Sequence, residues 1–495
     1  MKRIIHFFIF ILFATTMYAE DVLQVVPFKA QRGTVSADAC YFSIAMNNDA
    51  AEIWAFQFEM LLPQGMALDN TDGLEPFELG DRCPYTTGRG GVKNWKHTVQ
   101  YSLLDDGWYR VVVFTTDADR ISGNSGEVLR AYYLTNDNME EGVHSICIRN
   151  TVLTISGNSD IKPANSSSYC TVGDFALNEE GVADFSMLTG YIPSWVVSSV
   201  IADVSNVEAL SALDMRNADA LGAAPVLPNK NVLCYLKQGA LSQDSSADNV
   251  VECGEGYSCE KFSIYDGGGN FYSPVEVECG LASFDREFKA GFWSTVVLPF
   301  NVNEEQMAEI KLNGVEVEKL VSYDGENNTL CFESVQSMQA NVPYIIRCND
   351  AFAPFVDIET EAFASTDNMA GISLDGVSMN GNYGNISLSS DGANTYYVFD
   401  ALNGEFVRVG NNCKVSPFRA YISIPAAMGS NRAISLSHIG NGTTAVQNNF
   451  VQQNSSYDIY TMQGVKVGEI ESISNPFTNF EKGIYIVGNK KIVVK

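Results

Sequence analysis

From Val22 to Ile155 the chain keeps returning to one pattern. A short run of alternating or continuous apolar residues is followed by a turn of Gly, Asp, Asn or Pro. The runs are VLQVVPF, YFSIAM, IWAFQFEMLL, HTVQYSLL, WYRVVVFTT, VLRAYYL and HSICIRNTVLTI. The turns include Pro63-Gln64-Gly65, Asp72-Gly73, Asp105-Asp106-Gly107 and Gly123-Asn124-Ser125-Gly126. Alternation with a period of two puts successive side chains on opposite faces of a strand. Seven strands at this spacing predict a β-sandwich over 20–173.

The same grammar continues. Over 184–280, short strands such as Ser199–Asp203, Ala212–Arg216, Val232–Leu236 and Phe262–Tyr265 are separated by polar loops. Leu210, Leu213, Met215 and Ala218 imitate one leucine-rich repeat, so a short solenoid-like β segment is expected. An extra sheet packed on the next domain is the alternative reading. One copy is thin support, because a solenoid needs about three repeats to be stable. Over 281–440, FWSTVVLPF, NTLCFESV, VPYIIRC, TYYVFDAL, EFVRVG and RAYISIP predict another β-sandwich, with one helix at Glu304 to Ile310. The fold class is therefore all-β, as several sandwiches. Its 495 residues are enough for about three domains. A polar linker is expected at 441–456 and a small strand tag at 457–495.

Charge narrows the partners. Charged residues are 18% of the chain, aromatics 11%, and the formal net charge is −28. Such a chain repels nucleic acid and anionic membranes. Residues 1–19 have a basic start (Lys2, Arg3), an apolar run from Ile4 to Phe13 and small residues before Glu20, the pattern of a secretory signal peptide. Cleavage after Ala19 removes two positive charges and leaves −30. No later stretch reaches the length of a spanning helix, about 20 apolar residues.

Eleven cysteines are an odd number for a secreted chain. Cys147, Cys170, Cys234 and Cys331 lie inside apolar runs, where they act as small buried hydrophobes. Cys253 and Cys259 flank the turn GEGYS and are the best local pair for a bridge. No C-x-x-C occurs, so the zinc and redox signatures are missing. Free thiols are the expected state of most.

Three resemblances add to this reading. The phrases IWAFQFEMLLPQGM and GEVLRAYYL resemble the cohesin-like, carbohydrate-binding superfamily of bacterial sandwich modules, whose members bind sugars or protein partners. The text WSTVVLPF, VPYIIR and PFRAYI resembles an uncharacterised β-domain of secreted Bacteroidetes proteins. The ending, with Tyr460, Gly464, GIYIV and KKIVVK, resembles the C-terminal sorting domain of Bacteroidetes proteins carried by type IX secretion. The last implies export through that machinery to the outside of the cell or its outer surface.

Catalytic signatures are sparse. The mature histidines His97, His144 and His438 form no H-E-x-x-H, and no G-x-S-x-G occurs. Gly123-Asn124-Ser125-Gly126 is similar to the nucleophile text of chymotrypsin-like proteases, but His97 lies too close upstream, and a Gly-rich turn is the reading. Asp69 to Gly73 and Asp117 to Asp119 are oxygen-rich but miss the calcium-loop pattern, so no metal and no cofactor are expected. The one departure from acidity runs from Asp81 to His97. There Arg82, Arg89, Lys93 and Lys96 interleave with Tyr85, Trp95 and, further on, Tyr101. Aromatic faces stack on sugars and cations, and Arg and Lys donate to hydroxyls or acids. Arg89, Lys93, Trp95, Lys96 and Tyr101 are therefore the expected ligand-binding residues. The competing reading tucks Trp95 into the core of an exposed hairpin. The expected function is a non-catalytic, secreted or surface protein that binds carbohydrate or a surface protein through its first sandwich. An accessory polysaccharide-degrading enzyme and a structural adhesin component are the alternatives.

Overall fold

The computed structural model describes residues 21–439, except 49–51, 156–158, 208, 228–230, 243–246, 370, 375 and 430, together with four C-terminal strands. The expected signal peptide at 1–19 and the linker at 441–456 lie outside the described residues. The described residues up to Ile439 form one compact unit. No helix among them is long and apolar enough to cross a membrane.

Alternation builds the first sandwich. In Tyr41–Asn47, Phe42, Ile44 and Met46 are buried, while Tyr41, Ser43 and Ala45 turn away. In Ile53–Leu61, Phe56, Phe58 and Met60 point the same way. One sheet runs Val22–Val25, Tyr41–Asn47, Ser125–Thr135, Met66–Leu68. The other carries Ser166–Val172, Gly142–Ile155, Ile53–Leu61, Tyr109–Phe114 and Thr98–Leu103 in that order. Their inner faces close one apolar core. Each fully buried Phe in it contributes about 1.5–3 kcal/mol.

Beyond Val172 the pairing becomes parallel. Val182–Asp184, Ala212–Met215, Leu233–Lys237 and Val250–Cys253 stack as successive parallel neighbours. A second parallel ladder joins Ser166–Val172, Gly190–Ile192 and Ala218–Leu221, and so extends a sheet of the sandwich. Leu210, Leu213, Met215 and Ala218 are all buried between the ladders. Two buried asparagines tie the turns: Asn249 accepts from the amide of Ser263 and Asn231 from the amide of Tyr265, both at 2.7 Å.

One expectation fails here. Ser199–Asp203 is not a strand; it belongs to the helix Ser194–Val204. Its β-branched residues read as strand locally. The larger spacing decides, because Val196, Val197, Val200 and Val204 fall on one helical face and are buried.

The ladder core passes directly into the following β region. Phe262 stacks on Phe363 at 4.1 Å and meets Phe300 edge-on. Tyr235 and Val251 share a cluster with Val296 and Tyr344. A ten-stranded sheet runs from Trp293–Val297 to Ile372–Leu374. The expected helix forms at Glu304–Leu312, where Asn303 and Gln306 cap each other reciprocally.

The C-terminal strands form a second unit. It is an antiparallel sheet in the order Lys466–Ile470, Tyr457–Thr461, Gly483–Val487, Lys490–Val494. Three of these strands were legible in the sequence. Lys466–Ile470, with Gly and Lys among its five residues, was not.

Candidate functional site

The basic, aromatic segment folds as a two-stranded hairpin, Tyr85–Thr87 against Lys93–Trp95. Gly90 and Gly91 at its tip take φ of 81° and 83°, in the left-handed region that glycine adopts without strain. Tyr85 and Trp95 are register partners, and their rings meet edge-to-face at 5.1 Å. The Lys93 ammonium lies 4.8 Å from the Tyr85 ring centre and 4.9 Å from that of Trp95. It also donates to Asp81 at 2.9 Å. That carboxylate holds the Lys93 ammonium above its ordinary range, and Lys93 holds Asp81 below the usual carboxylate range.

Trp95 falls between the two readings of it. Its ring is half-buried and packs on the sandwich core, yet Tyr85 and Val92 beside it are 41% and 61% exposed. Tyr101 is also half-buried; it lies on Thr98–Leu103, with its ring edge-on to Phe77 at 5.6 Å. Burial raises its phenol. Arg89 is exposed at the hairpin tip and Lys96 is half-buried just past its end. The structure thus joins Lys93, Trp95 and Tyr85 in direct contact, with Arg89 at the tip, Lys96 just past the hairpin and Tyr101 on the following strand.

Arg82 does not belong to this basic surface. It is 8% exposed and donates to the carbonyls of Met46, Ser122 and Gly123 and to Asn48 Oδ1, at 2.5–2.7 Å. It ties loops together from inside. With Arg82 buried and Lys93 matched by Asp81, the hairpin is less cationic than its sequence implies.

Two other constellations were not read from the sequence. On the outer face of the sandwich, Arg110, Glu59 and Arg149 form a row across three strands. Arg149 also lies 4.0 Å over Trp108. A strand reading marks Glu59 as a solvated outward residue, because its partners come from strands distant in sequence. The local pair Cys253 and Cys259 does not meet as a bridge: Cys253 pairs in register with Tyr257, and Cys259 lies beside Cys279 on the next strand. All eleven cysteines are thiols in this structure. Among the described residues, no three His, Cys, Asp or Glu side chains converge as a metal site.

No family model matches the chain, and no curated protein matches it. Solved structures similar to part of it are cohesin modules. A non-cellulosomal cohesin from the archaeon Archaeoglobus fulgidus is 12% identical, over 32% of this chain and 93% of that one, at a TM-score of 0.23. A cohesin module of a Clostridium perfringens family 33 glycoside hydrolase is 11% identical, over 31% and 96%, at 0.22. The sixth cohesin of Acetivibrio cellulolyticus scaffoldin B, solved with a dockerin, is 10% identical, over 31% and 99%, at 0.25. Scores this low carry neither fold nor partner across. The chain's own strands and sheets define it as a multi-domain all-β protein of the sandwich type.

Proposed function

We propose that this is a non-catalytic, secreted or surface-held protein that binds a protein partner through the hairpin on its first sandwich. The observation behind the reading is the Lys93 ammonium over both aromatic rings, with Val92 and Tyr85 left exposed beside it. A ring face covered by a cation is a poor stacking platform for sugar. An exposed apolar tip with aromatic and cationic neighbours suits a protein surface, where Tyr, Trp and Arg anchors dominate the energetics. Export by the type IX route rests on the C-terminal text and remains part of this proposal.

The test is to present the full mature chain to a glycan array and to an array of cell-surface proteins from the same source. Each is run beside a Val92→Asp variant. Protein binding lost in that variant is the expected result. Binding to glycans alone, equally lost in the variant, returns the site to the carbohydrate reading. Binding unaffected by Val92→Asp removes the hairpin from the function. Release of reducing sugar from a polysaccharide substrate would replace the whole reading with an enzymatic one.

A further inference from the structure

The middle of the chain holds a groove of about 1030 Å³ that no part of the proposed function uses. Its walls carry Glu252, Glu260, Glu276, Glu278 and Glu361, and both Cys259 and Cys279 line it. An acidic wall alone would say little. The two cysteines are a different matter. They are register partners on the neighbouring parallel strands Tyr257–Tyr265 and Val277–Asp285. Partners in a ladder sit about 4.8 Å apart and project to the same face, within the Cα separation that a disulfide spans, about 4.4–6.8 Å. Each residue is only 4% exposed. Each thiol donates to a carbonyl two residues further along its own strand, Cys279 Sγ to Leu281 at 3.1 Å and Cys259 Sγ to Lys261 at 3.3 Å.

We propose that Cys259 and Cys279 are a redox-active dithiol, which a neutral peroxide entering the groove converts to a cross-strand disulfide. Neither thiol is singled out by its surroundings; whichever is deprotonated carries the nucleophilic attack. Its sulfur attacks one peroxide oxygen. The S–O bond forms, the O–O bond breaks, and the leaving hydroxide takes a proton to become water. Sulfur has lost two electrons and the peroxide has gained them. The other thiol then gives up its proton and attacks the sulfenic sulfur; the S–S bond forms, the S–O bond breaks, and a second water leaves. The glutamates disfavour anionic oxidants and leave uncharged hydrogen peroxide as the chemical class that reaches the pair.

The test uses the full-length protein, reduced and then exposed to hydrogen peroxide. Remaining thiols are alkylated and the peptides mapped. The expected result is a dithiothreitol-reversible link between the peptides of Cys259 and Cys279, formed before any other cysteine changes. In Cys259→Ser the reaction should stop at a sulfenic acid on Cys279 that dimedone traps, and in Cys279→Ser at one on Cys259. Full alkylation of both wild-type residues after peroxide overturns the proposal, and so does sulfinic acid without a link. If a serine variant does not fold, the wild-type peptide map decides alone.

Discussion

Arg110 and Glu59 face each other as register partners on neighbouring strands, and the guanidinium donates to the carboxylate at 2.6 Å. Arg149 approaches the other oxygen of Glu59 from the opposite strand at 2.8 Å, and Asn150 adds a third donor at 2.9 Å. A buried carboxylate is costly unless it is paired in this way. The Arg110 hydrogen bond, ahead of those from Arg149 and Asn150, lowers the Glu59 carboxyl from 4.5 to about 2.

A folded-state value below the unfolded one stabilises the fold at every pH above the unfolded value. That stability fades as pH falls from about 4.5 to about 2, as the folded carboxylate is protonated. The contribution is about 2–3 kcal/mol, discounted for the exposed arginines around it. Urea unfolding at pH 7 and at pH 3 should show wild type losing much of this amount, and Glu59→Gln losing less between the same two points. An equal loss in both proteins would clear Glu59 of the acid sensitivity.

Trp95 both supports the sandwich and borders the exposed hairpin. Trp95→Ala should cost about 2 kcal/mol of stability, from half-buried area and one lost aromatic pair. Lys93→Ala should cost much less, since exposed cation–π and ion-pair contacts are weak. Melting curves measure both. A Trp95→Ala protein as stable as wild type would mean that the ring adds nothing to the core.

Arg82 is the larger structural dependence. Arg82→Met leaves the buried carbonyl of Met46, and those of Ser122 and Gly123 at the surface, without the guanidinium that ties them together. A loss of about 3 kcal/mol or more is expected. Arg82→Lys should recover little, because an ammonium cannot reproduce the planar fork. Denaturant midpoints of the two variants give the answer; full recovery with Lys would reduce the role of Arg82 to its charge.

Deleting 457–495 should leave the upstream fold and its melting point unchanged, because the described residues up to Ile439 are a unit of their own. The same deletion should hold the protein in the periplasm of its host. Cell-surface labelling against whole-cell content measures this. Undiminished surface display would dismiss the sorting role of the tail.

Much of the strand content could be read locally. Phe42, Ile44 and Met46 alternate in the text as they alternate in space, and the reciprocal cap of Asn303 and Gln306 marks its helix within four residues. The valine-rich Ser194–Val204 misled, because a short apolar run fits either period, and packing of one face on the ladders chose the helix. The hairpin was legible as a turn with aromatic and basic flanks. That Lys93 would lie over both rings, and that Arg82 would turn inward, was not.

By itself the sequence determined the all-β class, the acidic surface and the positions of most strands, because a period of two and its turn residues are properties of neighbours along the chain. The tertiary structure decided which distant residues meet. Glu59 became a buried, doubly paired carboxylate because two separate strands each bring an arginine to the same row. Cys259 met Cys279 rather than Cys253 because parallel register set them side by side. Register follows from burying one face of each strand against the rest of the core, a condition on the whole fold that no local spacing contains.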